Sequence, residues 1–196
     1  MAYPSVSGPY GLVPVKLLSG SPFVGVTRHY KIASGYNTNI FNGDAVKLVT
    51  GGTVERETAD AAMVVTGVFL GCSYTDPTYG KVFRQHYPAG TVADDIEAIV
   101  ADGTDLLFKV AVVSSGETIG DLAQTDIGAN VAMVDNTGDT ATGNSKVAIS
   151  DTSATTATLP LRIVELVEET KNASGGYTEA LVKWNAGHQF NNTTGV

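Results

Sequence analysis

The sequence predicts a mainly β fold, a small β-barrel or sandwich with little helix, on three observations. Apolar residues come in short runs of period two, spaced roughly 8–15 residues apart and separated by Gly-, Asn- and Asp-bearing turns. Charged side chains make up 16% of the 196 residues, below the roughly 25% of an average soluble protein. The polar remainder is Gly, Thr, Ser and Asn, which suit strands and turns better than long helices. With 43% hydrophobic residues the chain can also fill a core.

The chain opens on MAYPSVSGPYGLVPVKLLSGSP, residues 1–22, which hold four of its seven prolines, at positions 4, 9, 14 and 22. Proline fixes φ and lacks a ladder donor, so this segment reads as an extended N-terminal arm poorly able to sit inside a sheet. It is nevertheless apolar, and a solvated linker would not carry Tyr3, Val6, Tyr10, Leu12, Val13, Val15 and Leu17. Two readings follow: an arm packed on its own domain, or one whose apolar residues bind a partner subunit.

From residue 23 to about residue 190 the text reads as a single β-rich domain, followed by a flexible tail, 191–196. FVGVTRHYKIA alternates and predicts a strand from Phe23 onward. FNGDAVKLVTGGTVERET (41–58) packs a turn, a short strand and a second turn into one stretch. Its acids and glycines read as sheet-bending residues, with Gly51-Gly52 as a hairpin turn. MVVTGVFLGCSY is nearly continuous in apolar and β-branched residues and predicts a central strand buried on both faces. GKVFRQHY, DIEAIVAD and DLLFKVAVV (105–113) follow as strands, the second with a short helix as its alternative. TIGDLAQTDIGAN (118–130) supports at most one or two helical turns. NVAMVD reads as strand, whereas NTGDTATGNS (136–145) and SDTSATTAT (150–158) read as surface loops. LPLRIVELVEE (159–169) alternates imperfectly, and EALVKWN (179–185) closes the ordered chain as a strand.

Charge and composition narrow the function classes. Twelve basic against 20 acidic residues give a net charge of −8. Nucleic-acid binding needs a basic footprint to displace counterions, and Lys31, Lys47, Lys81 and Arg84 stand singly, so direct contact with nucleic acid is not expected. An acidic surface is repelled by anionic membranes, and no apolar stretch approaches the ~18–20 residues of a spanning helix. Cys72 is the only cysteine; it reads as a small buried hydrophobe. The N-terminus lacks the basic and apolar regions of a signal peptide, which predicts synthesis in a reducing cytoplasm.

No motif carries chemistry. His29, His86 and His188 show no zinc-ligand spacing; the first two read as half-buried strand positions and His188 as part of a docked chain end. There is no G-x-S-x-G nucleophile elbow and no phosphate-cradling glycine loop. Asp94, Asp95 and Glu97, then Asp102 and Asp105, then Asp135 and Asp139 are clustered carboxylates. None matches a calcium loop, and acids in turns commonly bond their own backbone. The expectation is a non-enzyme with no catalytic residues, no metal and no cofactor.

IASGYNTNIFNGDAVKLVTGGTVE then carries a resemblance, continued by GVFLGCSYTD, ADGTDLLFKV, IGANVAMV, TGNSKVAIS, ATTATLPLRIVELVEE and LVKWNAGHQF. Over about residues 3–190 the chain resembles proteins encoded beside the major capsid protein in tailed bacteriophages, especially marine ones. More loosely it is similar to the small β-barrel head-decoration, or cement, proteins of phages. The resemblance implies a structural virion protein, made in the host cytoplasm, that binds the capsid exterior and stiffens the shell. Its implied partners are the major capsid protein and copies of itself, a trimer first and a dimer second, with residues 1–22 as the main contact. The alternative is another virion component, such as a tail or fibre receptor-binding protein, although no repeat or coiled coil supports a fibre.

Overall fold

The computed structural model describes residues 6–58, 63–171, 175–185 and 187–191. Strands dominate, and the two short 3-10 turns are Gln124–Asp126 and Gln189–Asn191. In chain order the strands are β1 (Val13–Leu17), β2 (Arg28–Lys31), β3 (Ala45–Leu48), β4 (Val54–Arg56), β5 (Gly67–Asp76), β6 (Gly80–Arg84) and β7 (Glu97–Ala101). The second half supplies β8 (Leu106–Ser115), β9 (Thr118–Ile119), β10 (Asn130–Val134), β11 (Ala148–Ala154), β12 (Leu161–Leu166) and β13 (Glu179–Trp184). The mainly β architecture read from the sequence is the one observed.

Five strands of the second half close a barrel. β8 pairs with β11 in parallel, and β11–β10, β10–β12, β12–β13 and β13–β8 complete the ring antiparallel. Closure removes the open edges that a sheet would otherwise present. The pleat decides which residues fill it: Phe108, Val110 and Val112 of β8 and Ala180, Val182 and Trp184 of β13 join the main core. Phe108 and Trp184 meet at 5.8 Å between ring centroids, tilted by 58°. On β8 the alternate residues Ala111 and Val113 belong instead to a small apolar cluster with Ala148 and Tyr177, against which Val6 and Tyr10 pack. β8 is the long central element because it serves four neighbours, taking β1 and β9 at its two ends as well.

The second sheet runs β2–β7–β5–β3–β4, with β6 added to β5. A parallel bridge between Lys31 and Thr53 brings its outer strands together. Its own cluster contains Ile40, Val46, Phe69, Tyr87, Ile96 and Val100. The two halves share one core, since Ala45, Met63, Val65 and Val68 pack with the barrel residues.

Several local expectations are corrected. Residues 150–158 are not all loop: β11 continues to Ala154, its residues paired with Asn130 and Val131 of β10. The Pro-bearing segment does enter a sheet, as β1 on the end of β8. Pro14 is tolerated there because β1 is an edge strand, and the register shifts between Pro14 and Lys16. The strand expected from Phe23 is regular only over Arg28–Lys31; Gly25, at φ +82°, interrupts the extended run before it. DIEAIVAD, by contrast, is the strand it was read as, over Glu97–Ala101. The reading of at most one or two helical turns over 118–130 also holds, as the single 3-10 turn Gln124–Asp126.

Candidate functional site: a groove beside the N-terminal segment

The stretch FNGD places the N-terminal segment. Asp44 N–H donates to the Phe41 carbonyl at 2.9 Å, closing a turn in which Gly43 takes φ +98°. Gly11, at φ +86°, crosses Gly43 backbone to backbone: a Cβ on Gly43 would sit 3.0 Å from Gly11 Cα and 3.1 Å from Leu12 N. Gly11 N–H donates to the Val147 carbonyl at 3.1 Å and Leu12 N–H to the Gly43 carbonyl at 3.0 Å. No side chain fits this crossing, so two glycines meet there. Just past it Leu12 is fully buried in the shared core.

Asp44 does more than bend the chain. It is fully buried, and its Oδ2 accepts from Phe41 N–H and from Arg56 Nε, both at 2.9 Å. Arg56 also pairs through Nη2 with Asp135, at the end of β10, and so joins the second sheet to the barrel. Burial raises the pKa of Asp44, against the lowering pull of Arg56, and burial raises Asp135 likewise. A buried carboxylate with a hydrogen-bonded guanidinium is a structural pin. Gly51-Gly52 is the hairpin turn expected of it, with Gly52 at φ +72° and Gly52 N–H bonded to the Val49 carbonyl at 2.8 Å.

Upstream of the crossing, residues 6–10 lie over the outer wall of the barrel. Tyr10 donates its phenol proton to Glu179 Oε1, and Lys109 Nζ lies 3.0 Å from the same oxygen. The Lys109 ammonium also sits 5.6 Å from the centroid of the Tyr10 ring. Burial, then the hydrogen bond to Glu179, holds the Tyr10 phenol far above its ordinary pKa. The phenol is thus a hydrogen-bond donor and not a nucleophile. Glu179 is 3% exposed, which its two partners explain. Beside this network runs a groove of about 620 Å³ between residues 6–13 and the loop 139–146. Its size and the polar side chains along it make it a candidate ligand site.

Placement of the seven apolar arm residues is uneven. Tyr3 lies outside the described residues. Val6, Tyr10 and Val13 line the groove. Val13 is also 36% exposed, while Leu12 is unavailable to any partner. Val15 and Leu17 are half-buried on β1, with Leu17 against the core.

The other candidates do not converge. His29 faces Glu97 at 3.5 Å, His86 stacks on Phe41 at 5.7 Å, and His188 is fully buried. Against the raising pull of Asp102, burial lowers the pKa of His188. The segment around it is docked, as the sequence suggests: Gln189 returns two side-chain hydrogen bonds to the backbone of Leu48, at 2.8 and 3.0 Å, as a peptide group would. The Cys72 thiol is buried and burial pushes its pKa up to about 12. Asp95 bonds Thr75 and Lys81 rather than a second carboxylate, and Asp102 accepts from Tyr30 at 2.6 Å. Asp139 bonds the Ala141 N–H, as a turn acid does. Among the described residues no three His, Cys, Asp or Glu come close enough to hold a metal ion, and no helix is long and apolar enough to cross a membrane.

Lys109, Glu179 and Lys146 are groove residues that the sequence did not single out. One signal was present for Glu179: a charge opening EALVKW, a strand whose other residues, Lys183 apart, are apolar. A charge buried there needs a partner from elsewhere in the chain, and Tyr10 is 169 residues away.

Comparison of the chain with family models, with curated proteins and with solved structures finds no match.

Proposed function

We propose that the chain is a structural virion protein of the head-decoration type, not an enzyme, binding the exterior of a phage capsid and stabilising it. The reading rests on the sequence resemblance, and one observation of the molecule supports it. Residues 18–27, LSGSPFVGVT, carry no charged side chain in a protein of net charge −8. Leu18 is 50% exposed, Val24 80% and Val26 39%. An uncharged apolar strip on an acidic surface suits contact with another protein. The major capsid protein is its proposed partner, and other copies of the chain are the second.

Closed-barrel architecture fits this role too, because a rigid body fastened over a shell resists its expansion. The test is reconstitution: heads purified without the protein are mixed with wild type or with V24D/V26D. Wild type is expected to saturate the heads, with density at repeated capsid positions, and the double variant to fail. Saturation by the double variant overturns the apolar strip as the contact; no binding by wild type overturns the decoration role.

A further inference from the structure

We propose that the groove beside the N-terminal segment binds a short stretch of a neutral, hydroxyl-rich glycan. This goes beyond a decoration role and does not rest on it. At about 620 Å³ the groove falls inside the usual range of small-ligand sites, roughly 300–1,000 Å³.

Its lining decides the ligand class by elimination. The charged residues there are Lys109, Lys146, Glu179 and Asp139, so cations and anions balance. Each lysine already holds a carboxylate: Lys109 pairs with Glu179 at 3.0 Å and Lys146 with Glu117 at 2.9 Å. A phosphate or sulfate would find no uncompensated cation, and a metal ion no cluster of ligands. A lipid or flat aromatic ligand would desolvate these ion pairs and the amide of Asn144 and offer no hydrogen bond in return.

An added peptide strand fits no better. Strand addition needs a row of free backbone groups. Along residues 6–11 Pro9 has no N–H, the Gly11 N–H is given to Val147, and the Val6 carbonyl faces the Tyr177 N–H at 3.5 Å. What remains is side-chain chemistry at the rim, donors beside acceptors: the Lys146 ammonium and the Asn144 amide beside Asp139 and the Thr142 hydroxyl. A sugar hydroxyl both donates and accepts, and it satisfies such a pair without adding charge. Asn144 is exposed and bonds Gln85 through Oδ1 rather than through its amide nitrogen. The site is also built on firm elements. Lys109 and Glu179 stand on β8 and β13, and the loop is braced by the Asp139 N–H to Asn144 carbonyl bond at 2.9 Å.

The experiment is amide NMR of the full chain titrated with maltohexaose, cellohexaose and chitohexaose at millimolar concentration. At least one is expected to shift the resonances of Ser7, Asn144, Ser145 and Lys146 together and saturably. N144A and K146A, both at the rim, should weaken that binding by about three- to tenfold each, one hydrogen bond apiece. No groove shift with any of the three probes overturns the proposal, as does binding that both variants retain unchanged. The same variants are offered to purified heads. Lost head occupancy with no glycan shift makes the groove a capsid contact and overturns the glycan; glycan binding with normal occupancy supports both readings separately.

Discussion

The two halves of the N-terminal region have the same composition and opposite fates. Residues 6–17 and residues 18–27 are both apolar, Gly- and Pro-bearing and nearly free of charge. The first half is sewn into the protein's own fold by the Gly11–Gly43 crossing, by Leu12 in the core and by β1 on the end of β8. The second half turns back at Leu17–Ser21, lays Phe23 against the core with its N–H on the Val15 carbonyl at 3.1 Å, and then leaves Val24 and Val26 in solvent. Apolar content alone therefore does not mark a partner surface; what marks it is apolar content that the chain's own hydrogen bonds and core have not used.

The sharpest way to break the comparison is through two glycines that share a backbone conformation. Gly43 (φ +98°) and Gly25 (φ +82°) both lie in the left-handed region, but a Cβ on Gly25 would meet nothing within 4 Å. G25A is expected to cost only its backbone strain, about 1 kcal/mol. G43A adds the backbone collision at the crossing and should cost about 4 kcal/mol or more, read as the loss of folded yield or a fall in denaturation midpoint. Equal costs would mean that the two halves are held alike. L12A ranks next, at about 3 kcal/mol, for a fully buried leucine removed from the shared core. An urea titration of the variant checks it.

The sequence made the barrel's material legible and not its closure. Runs such as LLFKVAVV and EALVKW announce strands because both faces are buried. No local signal says that β8 pairs with β11 in parallel, a contact that spans the 3-10 turn and β10. DTSA of β11 reads as loop because Ser and Thr are turn formers; pairing with β10 overrides that preference. The candidate site was half visible. Val6, Tyr10 and Val13 were singled out for their apolarity, but Tyr10 matters through its phenol, whose partner Glu179 is set by tertiary contact alone. Asp44 stood in plain view within FNGD, and only its distance from Arg56 and Asp135 reveals a pin.

That pin gives a pH signature of smaller size. Asp44 and Asp135 share the guanidinium of Arg56, with Asn136 and Ser145 as their uncharged neighbours. Burial raises both carboxyl pKa values above those of the unfolded chain. The folded state thus holds these protons more tightly, so their contribution is fully present below the unfolded pKa and is lost as pH rises through the folded one. Stability should increase as pH falls from neutral into mild acid. Asp95 acts with the opposite sign: its pKa is lowered, first by its hydrogen bond to Lys81, so its small, solvent-screened contribution is lost as pH falls. D135N should flatten the mild-acid rise in Tm without removing the fold. An unchanged slope in D135N would separate the pin from the pH response.

The smallest expected effect on stability belongs to the exposed half. V24D places a carboxylate at a position 80% exposed that carries no core contact, so Tm should stay within the range of a neutral surface change, about 0.5 kcal/mol. Its effect on association should be far larger, because a charge introduced into an apolar contact is left desolvated and unpaired when the partner closes over it. The pair of measurements is diagnostic in opposite directions. L12A weakens the fold and reduces head binding only in proportion to the folded fraction, whereas V24D keeps the fold and loses binding outright. If V24D lost stability and binding together, residues 18–27 would belong to the chain's own structure as residues 6–17 do, and the division of the N-terminal region would fail.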